Sequence, residues 1–131
     1  MNIRLLRWVS LFIFWSLMSA QTYAQMHTLQ TRNLRLVYFT SGHEYIVPHV
    51  ARCFENALSF HSKLFNYTPW EPVTVFIQDL GDYGNGGATG VPRNIINIGI
   101  SPFQYTYETI PAVERMSWMM NHELTHIVTM D

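Results

Sequence analysis

Asn121-His122-Glu123-Leu124-Thr125-His126 is the stretch on which the reading of this chain turns. It stands on a segment, Ala112 to about Thr129, whose apolar residues recur at helical spacing. Val113, Met116 or Ser117, Met120, Leu124 and Ile127 or Val128 form the buried stripe of that helix, with the methionines as core filler. Thr109-Ile110-Pro111 supplies its start, because proline is favoured at the first helical position. Residues four apart on a helix share a face, with Cβ atoms roughly 5–6 Å apart, so His122 and His126 are spaced to offer two imidazoles to one metal ion. Zinc suits such a pair, since it accepts neutral imidazole nitrogen and takes four ligands, one of which can be water. Glu123 is then a candidate to receive the proton of a metal-acidified water. From residue frequencies, His-Glu-x-x-His arises by chance in roughly a few of every thousand chains of this length. A copy on a periodic helix is therefore informative.

Upstream of the motif the pattern is strand, helix, strand. Asn33 to Phe39 alternates Leu34, Leu36 and Tyr38 against Arg35 and Val37, which predicts a strand. Met26 to Gln30 has no clear periodicity and reads as a loose lead-in, its His27 carrying no argument. Val47, Val50, Phe54, Ala57 or Leu58, His61 or Leu64, and Phe65 mark a helix from about Val47 to Phe65. Ser41-x-x-Glu44 resembles a capping box, but Pro48 belongs in the first turn, which favours the later start. Val73 to Asp79 is a second strand, and the connection through a helix implies that the two strands run parallel. Leu80 to Arg93 holds five of the seven glycines without the Lys-Ser/Thr of a phosphate loop. Within it, Gly86-Gly87-Ala88-Thr89-Gly90 reads either as plain loop or as a short edge strand whose backbone is open to an extended peptide. Asn94 to Ile100 is a clearer strand, and Tyr105 and Tyr107 in the aromatic stretch that follows are expected to pack against the sheet. The fold class is thus α+β: a small mixed sheet, a crossover helix, and a second helix bearing the motif.

Composition narrows the function. With 48% hydrophobic and 13% charged residues, 131 residues suit one domain with a buried core. Arg4 and Arg7, the apolar run Trp8 to Ala20 and the small-residue site Thr22-Tyr23-Ala24 make residues 1–24 a secretory signal peptide. As a membrane anchor the thirteen-residue run is short of the roughly 20 residues that cross a bilayer, so no stable span is expected after cleavage. Export to a bacterial periplasm or to the extracellular space follows. Without the leader, six basic residues face nine acidic ones, and no basic stripe remains for nucleic acid. Cys53, alone, forms no internal disulfide and reads as a small buried side chain. His43, His49 and His61 form no four-residue pair with one another and read as solvated or hydrogen-bonded.

The order strand, helix, strand, glycine-rich edge segment, strand and His-Glu-x-x-His helix resembles the N-terminal lobe of the zincin metallopeptidases. In particular it resembles the peptidase MA-like gluzincin domains of secreted bacterial proteins, over roughly Arg32 to Asp131. The resemblance implies that His122 and His126 bind Zn2+, that Glu123 is the general base, and that Gly87-Ala88-Thr89 aligns a peptide or protein substrate. In that family a glutamate on a later helix is the third ligand, and a Tyr or His later still assists. Asp131 lies about 140° around the helix from His126 and is a poor substitute. Residues 25–131 therefore read as an N-terminal lobe, incomplete at its C-terminus, of a secreted zinc metallopeptidase, with a C-terminal lobe expected to complete the site. The alternative is an exported, non-catalytic binding or scaffold domain that keeps the lobe.

Overall fold

The computed structural model describes residues 26–39, 41–79, 85–100 and 114–130. The leader, Tyr105, Tyr107 and the Pro111 helix start lie outside the described residues.

Strands β1 (His27–Gln30), β2 (Leu34–Tyr38), β3 (Val73–Gln78), β4 (Gly86–Thr89) and β5 (Ile95–Gly99) form one sheet in the order β1-β2-β3-β5-β4. The inner pairs β2-β3 and β3-β5 are parallel, and the two outer pairs are antiparallel. Helix α1 (Val47–Phe65) connects the parallel strands β2 and β3, and helix α2 (Arg115–Met130) carries the motif. The chain is therefore α+β with a mixed sheet, as its sequence patterning predicts.

Register explains the core. Leu34 and Leu36 stand opposite Val73 and Val75, Val75 and Ile77 opposite Ile96 and Ile98, and Ala88 opposite Ile96. Alternate residues of a strand share a face, so these side chains form one apolar surface, and α1 and α2 pack on it and on each other. From α1 the stripe Val50, Phe54, Ala57 and Leu58 is buried, and from α2 Met116, Met120, Leu124 and Ile127. Pro48 sits in the first turn of α1, where its missing N–H leaves no intrahelical bond unmade. Asn66 closes the helix in the left-handed region at φ 51°.

Two expectations are corrected. Residues His27–Gln30 are a strand rather than a loose lead-in: β1 pairs antiparallel with β2, and His27 stacks on Tyr38 with ring centroids 5.3 Å apart. Its four residues alternate only between exposed and half-buried, so no hydrophobic period announced it. Glu114, expected inside the helix, is non-helical and caps α2, which begins at Arg115 among the described residues; the expected start at Ala112 lies outside them. The Glu114 carboxylate accepts hydrogen bonds from the backbone amides of Met116 at 3.0 Å and Ser117 at 2.7 Å. In the glycine-rich segment, Gly86–Thr89 forms the edge strand.

Candidate functional site

The motif occupies the middle of α2. One side of that helix is buried on α1 and the sheet, and the other carries His122 and His126 into solvent. The two imidazole rings lie 5.1 Å apart between centroids, with their planes at 76°. Trp118, one turn earlier, stacks on His122 at 5.5 Å and 23°, which restricts that ring's rotation. Trp118, His122 and His126 thus form one aromatic column, each four residues from the next.

Local bonds hold this stretch in place. Thr125 donates its hydroxyl to the Asn121 carbonyl at 2.9 Å, and Asn121 donates its side-chain amide to the Ser117 carbonyl at 2.9 Å. His61 of α1, buried at 4% exposure, places Nε2 3.1 Å from the same Asn121 oxygen. A carbonyl oxygen can only accept, so Nε2 is the protonated nitrogen of that ring. His61 is hydrogen-bonded, as its sequence context predicts, and it ties α1 to the first residue of the motif.

Glu123 points elsewhere. Its side chain is 5% exposed and lies against β4, where a Cβ built on Gly86 would stand 2.6 Å from Oε1. Any side chain at 86 would occupy the space that the carboxylate fills. Strand alternation puts Gly86 and Ala88 toward α2, and Gly87 and Thr89 toward the other face; nothing lies within 4 Å of a Cβ built on Gly87. Because β4 ends the sheet on that side, its outer backbone groups have no strand partner among the described residues.

Among the described residues no third histidine, cysteine or carboxylate joins His122 and His126 in a cluster able to share an ion. The cluster that does meet that condition is His49, Cys53 and Glu114, whose side chains could hold a metal ion. His49 Nε2 lies 3.1 Å from Glu114 Oε1 and 3.6 Å from Cys53 Sγ, and Cys53 Sγ lies 3.7 Å from Glu114 Oε2. Burial pushes the Cys53 thiol above its ordinary value, opposed by the Ser117 hydroxyl and reinforced by the Glu114 charge. At Glu114 burial acts upward, but hydrogen bonds from Ser117, His49 and the Met116 amide outweigh it and bring the carboxyl down to about 2. The His49-x-x-x-Cys53 spacing was visible on α1, whereas Glu114 arrives from the other helix and no local pattern marks it.

No family model, curated protein or solved structure matches the chain.

Proposed function

We propose that this chain belongs to an exported zinc metallopeptidase of the zincin type that hydrolyses peptide bonds, with His122 and His126 as metal ligands and Glu123 as general base. One arrangement supports this reading above all. Two imidazoles share the solvent face of α2, while the carboxylate next to one of them in sequence packs against an open sheet edge. An incidental pair of surface histidines would need no glycine opposite the intervening glutamate.

The donor chemistry fits zinc: two accessible neutral-capable imidazoles one helical turn apart. When bound, zinc supplies Lewis acidity and lowers the pKa of a water toward neutrality. The third ligand would come from beyond the described residues. The remaining work falls to this chain's own groups. Trp118 fixes the orientation of the His122 ring. The free edge of β4, through the backbone of Gly87, Ala88 and Thr89, aligns an extended peptide by main-chain hydrogen bonds, with side-chain selection left to neighbouring surfaces. Glu123, packed on Gly86 away from the imidazoles, would turn toward them to accept the proton of the attacking water and deliver it to the departing amine.

Metal removal tests this. The protein purified at its full encoded length should lose hydrolysis of a mixed-sequence peptide pool on chelation and regain it with zinc. His126→Ala should abolish that recovery. Hydrolysis that survives both chelation and His126→Ala would sink the proposal, and a folded, zinc-loaded protein without hydrolysis would favour the exported binding domain.

A further inference from the structure

We propose that His49, Cys53 and Glu114 form a second metal site, separate from the histidine pair, that takes a zinc-like divalent cation and clamps the start of α2 to α1. Three observations carry it. First, the ligand atoms come from two elements: His49 and Cys53 are one turn apart on α1, and Glu114 immediately precedes α2. Secondly, one ligand atom from each residue lies within 4.8 Å of the other two, close enough to share one ion. Zinc bond lengths of about 2.0–2.3 Å set ligand separations of about 3.4 Å for nitrogen to oxygen and about 3.6 Å for either of them to sulfur. The distances here are 3.1 Å from His49 Nε2 to Glu114 Oε1, 3.6 Å from Cys53 Sγ to His49 Nε2, and 3.7 Å from Cys53 Sγ to the other carboxylate oxygen, Oε2. Thirdly, the ligands are already oriented. Both Glu114 oxygens are pinned by backbone amides of α2, and the Ser117 hydroxyl lies 3.3 Å from Cys53 Sγ, where it can donate to a thiolate.

The donor set selects the class of ion. Calcium and magnesium favour all-oxygen shells, whereas a thiolate with an imidazole favours borderline and soft cations such as Zn2+ or Co2+. Cys53 binds as thiolate and His49 through Nε2, so each ion taken up releases the thiol proton to solvent and displaces the Nε2 proton now shared with Glu114. His49 and Glu114 line a cleft of about 440 Å³ together with Tyr45, Asp79, Arg115 and Met119. Water or one further ligand has room to complete the shell there. The eight residues from Glu114 to His122 separate the two sites by about 12 Å along the helix. The site is a staple at one end of α2, and the histidine pair works further along it.

Cobalt spectroscopy on the full-length protein decides the matter, with a readout that belongs to sulfur alone. Titration of the folded, metal-free, reduced protein with Co2+ should produce a thiolate-to-cobalt charge-transfer band in the near ultraviolet, saturating at one ion per chain. Zn2+ should displace the band and raise Tm, while Ca2+ should do neither. His49→Gln should lower the Co2+ affinity for that band at least tenfold, and His122→Gln should leave the band intact. Absence of the band in folded protein overturns the proposal, as does a band indifferent to His49→Gln. Because Cys53 is the single cysteine, loss of zinc at the histidine pair cannot mimic either result.

Discussion

Gly86 and Glu123 occupy one volume between them. A Cβ at 86 would meet Oε1 at 2.6 Å and the side-chain carbons behind it at 3.1 and 3.2 Å. The carboxylate is the movable partner, so Gly86→Ala should displace Glu123 more than it unfolds the sheet. The expected cost in stability is at the low end of the roughly 1–3 kcal/mol of overpacking, against a larger fall in kcat for peptide hydrolysis. Chemical denaturation and steady-state kinetics on the same sample separate the two, and a stability loss with kcat untouched would contradict the placement. Gly87→Ala, which meets nothing within 4 Å, should leave stability unchanged. At this scale the sequence was a partial guide. The spacing of His122 and His126 put both on one exposed face, and a four-residue count needs no tertiary information. That Glu123 would lean on Gly86 rather than stand beside the histidines depends on which strand α2 packs against. No spacing within the motif encodes that.

At the scale of elements, α2 is held at two points. His61 reaches the Asn121 carbonyl from α1, and Glu114 caps the amino end while meeting His49. Glu114 gives the cap a pH dependence. Its carboxyl is lowered from 4.5 to about 2 in the fold, so the folded state favours the ionised form. That contribution is fully present above about pH 4.5 and is lost as pH falls through about 2. With half of the side chain exposed, water screens the effect and keeps it modest. Stability of the metal-free protein measured between pH 5 and 2 should therefore fall more steeply for the wild type than for Glu114→Gln; parallel curves would contradict the assignment. The sequence located α1 from Val47 to Phe65, with Pro48 in the first turn, because a strong apolar period and a positional proline agree. It placed Glu114 inside α2 rather than at its cap because that glutamate stands three residues after a proline that looked like a start. It missed β1 because that strand is ordered by pairing with β2 and not by any period of its own.

For the whole molecule, the parallel β2-α1-β3 unit and the strand β5 were legible from runs of β-branched and aliphatic residues, and their register builds the floor on which both helices lie. The edge position of β4 was open in the sequence, where glycine serves loop and edge strand equally; pairing with β5 decides it. The histidine pair stands on the exposed face of α2, while Glu123 packs against β4 at the sheet edge, and the central claim is that these groups serve peptide hydrolysis. The most direct measurement is kcat/KM on a peptide pool for wild type and Glu123→Gln at matched zinc content. A general base removed from an otherwise intact, zinc-loaded site should lower kcat/KM by about 10²–10⁴-fold. Equal activity in the two proteins, with zinc bound equally, would contradict the account.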